Sequence, residues 1–181
     1  MTKINGKSIY IRSFTIDDAK PLVSLQLTNR DFFEKFAMQR DKAFYTLEGQ
    51  MEKIQGYEKN KEHDQQYMFG IFKIKTDELI GTINLSQVLR GSLQSAYIGY
   101  FLDQSQNGKG YMTEAVKLIL IYAFDQLRLH RIEAGVMPHN IGSIRVLEKA
   151  GFHKEGLAVK NVKINGKWED HQVLAIINPN D

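Results

Sequence analysis

The order of segments predicts an α+β fold built on a mixed β-sheet, and three observations carry that reading. Side chains from Gln66 to Leu102 follow a period of two, broken at Thr76-Asp77-Glu78 and at Arg90-Gly91-Ser92, which describes an antiparallel meander. Met112, Ala115, Val116, Ile119, Leu120, Ala123 and Leu127 recur instead at three- and four-residue spacing, the stripe of an amphipathic helix. Beyond it the pattern runs from strand to helix to hairpin: Arg131–Met137, Ile141–Ala150 closed by Gly151, and two strands around Asn165-Gly166 between Glu155 and Ile177.

Upstream, Ile9, Ile11 and Phe14 read as a first strand, and Thr15-Ile16-Asp17-Asp18 as a capping box that opens a helix reaching about Thr28. A helix accepts Pro21 only in its first turn, which sets the start near Asp18. The stretch from Asp31 to about Lys61 is polar and helical in propensity, with Tyr45 to Tyr57 its better helix. The expectation is one domain over residues 1–181, about seven strands flanked by about four helices, with no internal repeat or linker.

Hydrophobic residues at 43% and charged residues at 25% suit a chain that buries a core, and set aside disordered and fibrous classes. The longest apolar run, Leu118 to Phe124, is far shorter than the roughly 20 residues of a spanning helix, and Met1 to Gly6 lacks the apolar stretch of a secretory signal. Without cysteine there is no disulfide, thiol or Cys-zinc chemistry, and the scattered histidines have no metal-ligand spacing, so no metal site is expected. A formal charge of +3 is dispersed rather than gathered into a nucleic-acid footprint. No direct nucleic-acid partner, no membrane association and a cytoplasmic location are therefore the expectations, and the mild positive balance suits a ligand carrying several phosphates.

The stretch with most chemical content is Asn107-Gly108-Lys109-Gly110-Tyr111-Met112-Thr113-Glu114-Ala115, placed between a strand and the amphipathic helix. Glycines at 108 and 110 allow a tight turn and bring main-chain N–H groups close to a ligand, while the helix start adds further donors and a positive dipole end. That is an anion cradle, to which Lys109 adds a full charge. The competing reading is a plain Gly-containing loop before a helix. The loop lacks both the Gly-Lys-Ser/Thr ending of a Walker loop and the third glycine of a dinucleotide fingerprint.

A second cluster runs from Asn140 to Phe152. Gly-Lys-Gly-x-x-Thr-Glu-Ala followed about thirty residues later by Asn-x-x-Ser-x-x-x-Leu-x-x-x-Gly-Phe resembles the acetyl-CoA motifs of the GNAT acetyltransferase superfamily. The serine in the second motif, and the opening Ile11-Arg12-Ser13-Phe14-Thr15-Ile16-Asp17-Asp18-Ala19, are similar to its ribosomal-protein N-terminal acetyltransferase subgroup. The resemblance covers nearly the whole chain and implies the GNAT fold and transfer of acetyl from acetyl-CoA to an amine. It implies a protein N-terminus as acceptor, with a small amine (polyamine, amino sugar or antibiotic) as the alternative. A non-catalytic CoA-binding regulator is a third reading, and a homodimer is left open.

Carried over residue by residue, the resemblance places CoA pyrophosphate on Asn107, Gly108, Lys109, Gly110, Tyr111 and Met112, with Thr113 beside them. Tyr100 to Leu102 and Glu133 to Met137 flank the pantetheine. A main-chain N–H near Phe101 or Leu102 polarises the thioester, Asn140 holds the pantetheine or the helix start, and Ser143 lies near the departing sulfur. The family favours Gln or Arg where Asn107 stands, and Gly or Ala where Met112 stands. Many members have a tyrosine where this chain has Leu147, which moves the acid role toward Ser143. A carboxylate seen in some would fall at Gly135, leaving Glu133, one alternation away, as the candidate base. Each role competes with a structural one. Asn140 and Ser143 suit N-capping, Glu133 a surface ion pair, Arg145 and Lys149 a solvated face rather than the CoA 3′-phosphate, and Tyr97 and Tyr100 core packing. His130, His139 and His171 are further conceivable bases, and Asp31 to Lys61 would build the acceptor pocket.

Overall fold

The computed structural model describes residues 1–181 as one eight-stranded sheet in the order β1-β2-β3-β4-β5-β6-β8-β7. In chain order the elements are β1 (Lys3–Asn5), β2 (Ile9–Ser13), α1 (Ala19–Thr28), α2 (Arg30–Glu34), α3 (Leu47–Glu62), β3 (Tyr67–Lys73), β4 (Leu79–Leu89), β5 (Ser95–Leu102), α4 (Tyr111–Ile121), β6 (Arg131–Val136), α5 (Ile141–Lys149), β7 (His153–Ile164) and β8 (Lys167–Ile177). The fold is mixed α+β, as the segment order predicts. The sheet has eight strands rather than seven and five α-helices rather than four, because β1 and α2 are only three and five residues long and too short to show a period.

Other boundaries move for local reasons. The helix expected at Tyr45–Tyr57 starts at Leu47, because Thr46 Oγ1 accepts the Gly49 amide at 3.1 Å and caps it, while Lys42–Tyr45 form a 3₁₀ turn. The helix expected to reach Leu127 is α-helical only to Ile121 and continues as a π turn over Tyr122–Gln126. Asn165 and Gly166, with φ of 46° and 84°, close the β7–β8 hairpin with the paired positive angles of a tight I′ turn.

Alternation sorts the strands onto two faces. Ala96, Ile98 and Leu102 of β5, with Ile132, Ala134 and Val136 of β6, pack on Ala115, Val116 and Ile119 of α4 and Leu147 of α5. The opposite face carries a smaller cluster from α1, α2 and α3, against which Leu79 and Phe101 pack. The first turn of α4 is tied to the start of β2: Glu114 Oε1 accepts the main-chain amides of Ser8 at 2.9 Å and Ile9 at 3.4 Å.

The feature that positions the site is in the middle of the sheet. β5 and β6 are parallel and pair only over Ser95↔Arg131, Ala96↔Ile132 and Tyr97↔Glu133, after which the ladder stops although both strands continue. Beyond Tyr97 the two strands leave their facing edges open.

At the entrance to α1, Arg12 Nη1 and Nη2 hold the two Asp18 oxygens at 2.6 and 2.8 Å, and Asp18 Oδ2 accepts the Thr15 amide at 2.7 Å. Burial alone would raise the Asp18 carboxyl, but Arg12 and the Thr15 amide together outweigh it and hold it below the usual carboxylate range. A depressed native pKa gives stability that is complete above the unfolded value near 3.9 and lost as pH falls through the native value. Asp18→Asn should therefore cost about 3 kcal/mol at pH 7 by urea unfolding, with the gap to the parent protein closing below about pH 4.

Candidate active site

The loop leaving β5 is held by its own side chains. Asp103 Oδ1 accepts the Ser105 amide at 3.0 Å to start a 3₁₀ turn over Gln104–Gln106, and Asn29 Oδ1, at the end of α1, accepts the Gln104 amide at 2.9 Å. The chain then passes through Gly108 at φ 78° and Gly110 at φ 82°, left-handed values that other residues adopt only with strain. Gly110 is the N-cap of α4 and has no side chain to cap it, so the first amides of the helix face outward unshielded. A β-carbon at either glycine would meet nothing within 4 Å, so conformation and not crowding demands them.

The second half of the site is the start of α5. Asn140 Oδ1 accepts the Ser143 amide at 3.3 Å and caps the helix. Ser143 Oγ lies 2.6 Å from the Tyr100 hydroxyl, which also donates to the Ser143 main-chain oxygen at 3.3 Å. Burial pushes the Tyr100 hydroxyl up to about 12, with the Ser143 hydrogen bond pulling the other way. It therefore stays protonated at neutral pH. Two hydroxyls from different elements thus form one hydrogen-bonded pair, with a proton to give.

These parts surround a cavity of about 540 Å³ at the end of β5 and the start of α5; none of Glu133 to Met137, expected to flank it, is in its lining. Around it stand Phe101, Leu102, Asn107, Gly108, Gly110, Tyr111, Met112, Thr113, Asn140 and Ser143, with Tyr100 between them. Phe32, Phe33 and Phe36, from α2 and the chain after it, form an apolar wall, and Phe33 packs on Phe101 with ring centroids 5.0 Å apart. The only charged lining residues are Arg145 and Lys149; no carboxylate is among them.

Two expected residues stand apart. Lys109 folds back onto its loop, its Nζ 3.2 Å from Gln106 Oε1, and does not line the cavity. Glu133 also lies outside the lining; its Oε1 is held by Arg131 Nε at 2.9 Å and Nη2 at 2.7 Å. Leu147 is wholly buried core. Of the histidines, His130 pairs with Asp181 at 2.7 Å, His139 stacks near Phe36, and His171 is buried.

Core packing holds for Tyr100, which packs against the main cluster, and fails for Tyr97. Tyr97 is 42% exposed, because it lies on the sheet face that α1 to α3 leave uncovered at that row, and Tyr100 turns its hydroxyl into the cavity. The sequence signal for Tyr100 was a phenol at an inward strand position, which needs a polar partner once buried. Its partner lies 43 residues away, so no local pattern names it.

The sheet that parts after three rungs, the glycine loop opening α4 and the capped start of α5 define a class. The sequence profile of the acetyltransferase (GNAT) domain matches residues 8–153, and the chain belongs to the GNAT acetyltransferase family. It is an N-acetyltransferase, and acetyl-CoA is the acetyl donor of that family. Among its relatives, Probable N-acetyltransferase YjcK of Bacillus subtilis (strain 168) is 61% identical over 98% of each chain. The structure of the ribosomal-protein-S5-alanine acetyltransferase from Vibrio fischeri superposes with a TM-score of 0.93 at 30% identity, covering 99% of this chain and 98% of the other. Mycobacterium smegmatis RimJ, solved in complex with CoA-disulfide, superposes with a TM-score of 0.90 at 29% identity, covering 95% of this chain and 83% of the other.

Because the Asn140 cap both starts α5 and orients Ser143, Asn140→Ala should destabilise the protein by about 1 kcal/mol in urea unfolding. Asn140→Asp should recover most of that loss, since its carboxylate accepts the same amide.

Proposed function

We propose that this protein acetylates the N-terminal α-amine of a protein, with ribosomal proteins as the substrate class, using acetyl-CoA held at the cavity. The observation that carries the reading is the continuity of that cavity. It joins the outward amides of Gly110 and the first turn of α4 to the Tyr100–Ser143 hydroxyl pair and then to the aromatic wall of α2.

The residues present fit the donor. Unshielded amides at the Asn107–Met112 turn, with the positive end of α4, suit a pyrophosphate, and main-chain donors need no particular side chain at 107 or 112. Arg145 and Lys149 stand at the lining where a further phosphate would be met. The facing edges of β5 and β6, free of each other past Tyr97, offer main-chain partners to an amide-bearing arm, and an N–H at Phe101 or Leu102 would polarise the thioester oxygen. Bound there, acetyl-CoA supplies an acyl group activated by its thiol leaving group.

Ser143 and Tyr100 then act as a proton source at the sulfur. As the C–S bond breaks, Ser143 gives its proton to the sulfur and takes one from the Tyr100 hydroxyl, which is protonated at neutral pH. This puts the acid function on a strand tyrosine acting through the α5 serine, with Leu147 left to the core.

The choice of acceptor is supported by the lining. A polyamine or aminoglycoside is a polycation and needs carboxylates around it, whereas this lining has none and carries two cations. A single α-amine followed by neutral or acidic residues meets no such penalty, and the aromatic wall can pack a small apolar first side chain. The likeness to a ribosomal-protein-S5-alanine acetyltransferase supports the same acceptor.

With purified protein and acetyl-CoA, alanine- or serine-starting peptides should gain one acetyl group by mass spectrometry, with matching thiol release, while spermidine and kanamycin should not. Turnover on the polycations alone would reverse the acceptor assignment. Ser143→Ala and Tyr100→Phe should each lower kcat about 10- to 100-fold with little change in the KM for acetyl-CoA, and the double variant should be hardly worse than either single, because the two hydroxyls act as one relay.

A further inference from the structure

The ring of His171 lies where β6 has no side chain. A β-carbon built at Gly135 would meet His171 Cβ, Cδ2 and Cγ at 3.6, 3.7 and 3.8 Å, so the imidazole packs on the bare main chain of Gly135. Gly135 itself is exposed, whereas His171 is only 6% exposed. His171 Nδ1 stands 3.1 Å from the main-chain oxygen of Glu169 and 2.8 Å from Asn161 Oδ1. A carbonyl oxygen can only accept, so Nδ1 carries the proton and donates, and Nε2 keeps its lone pair. Nε2 has no hydrogen-bond partner in the protein, yet no unpartnered side-chain nitrogen or oxygen is sealed from solvent, so water reaches Nε2.

One ring nitrogen anchored on a carbonyl and the other presented as an acceptor is the arrangement of a general base. Like Glu133, His171 and Gly135 lie outside the cavity lining; β6, about 5 Å from its neighbour strand, stands between the ring and the opening between β5 and β6. Gly135 places no side chain on that path, and Gly99, two residues past the last rung on β5, carries none either. Glu133, nearest along the strand, is instead occupied by Arg131. The charged and titratable groups on the same side of the sheet are Arg131 and Glu133 of β6, Glu169 of β8, His153 and Glu155 of β7, which pair with each other and with Arg131, and Tyr97 of β5, with Lys160 in the β7 bulge.

We infer that His171 Nε2 receives the proton that the acceptor ammonium must lose, through water standing over Gly135. The inference rests on the acetyl-transfer reading above and deepens it. An ammonium N–H bond breaks and its proton passes by water to Nε2. The freed nitrogen pair forms a C–N bond to the thioester carbonyl carbon as the C–S bond breaks. Sulfur takes a proton from the Ser143–Tyr100 pair, the second proton shed by nitrogen restores that pair, and His171 releases its own to solvent. The sum is one ammonium and one thioester giving one amide, one thiol and one proton.

The test uses the full chain, acetyl-CoA and an alanine-starting peptide, with thiol release followed from about pH 5.5 to 9.5, a range that brackets the titration of imidazole. His171→Asn keeps a donor at the Nδ1 position and removes Nε2. Its kcat should fall about 100-fold, the limb of kcat/KM that rises from acid should disappear, and the KM for acetyl-CoA should stay within about two-fold. In His171→Ala, added imidazole should restore turnover in proportion to its neutral form, and Gly135→Ala, whose β-carbon meets His171 only at ordinary contact distance, should slow the parent protein by crowding the water path without altering coenzyme A affinity. A His171→Asn protein with the parent's kcat and pH profile, in a preparation that turns over, overturns this inference alone. Absence of imidazole rescue in a folded His171→Ala does the same. No turnover by the unmodified protein on any amine overturns the acetyl-transfer reading and this inference with it.

Discussion

The whole site depends on the ladder between β5 and β6 ending after three rungs. Parallel strands inside a sheet ordinarily stay paired, because each unmade main-chain hydrogen bond in a buried place has a cost of about 1 to 3 kcal/mol. Here α4 and α5 pack against one face of the two strands and α2 against the end of β5 on the other, so both strands stay in place while their facing edges part. The opening is therefore held by packing at a distance, and it supplies unpaired main-chain groups in the middle of an otherwise closed sheet.

Around that opening, charge is arranged by main chain more than by side chain. In the proposed site the phosphate end has helix amides and two left-handed glycines, and the reacting end two neutral hydroxyls, one of them raised by burial. Full charges near the site are mostly paired with one another, Glu133 with Arg131 and Arg131 with Glu155, and the cavity wall carries none of the acids. Neutral donors in fixed positions need little reorganisation when charge develops on a thioester, which is the condition under which such a site is effective.

What could be read from the sequence is what local spacing encodes. The period of two in the meander, the stripe of α4, the positive-φ glycines at 108 and 110 and the cap at Asn140 are all written within a few neighbouring residues, and they fix where the loop and both helix starts lie. What could not be read depends on contacts between distant segments. Tyr100 meets Ser143 across 43 residues, and His171 meets Gly135 across the β6–β8 pairing. From the Gly135 position that the resemblance indicates, alternation leads to Glu133 but gives only a face and not the neighbour on it; Arg131, two residues earlier on the same face, holds the carboxylate. β1 and α2 were missed because elements of three and five residues are fixed by pairing and packing, not by a pattern of their own.

Glu114 stands in the first turn of α4, one turn behind the amides assigned to the diphosphate, where a free carboxylate would repel a polyanion. Its oxygen is instead drawn sideways onto the amides that begin β2. The amino-terminal strands thereby act as an electrostatic sink for the loop: they absorb a negative charge that the helix start favours for its own sake, and leave the field at the ligand end positive.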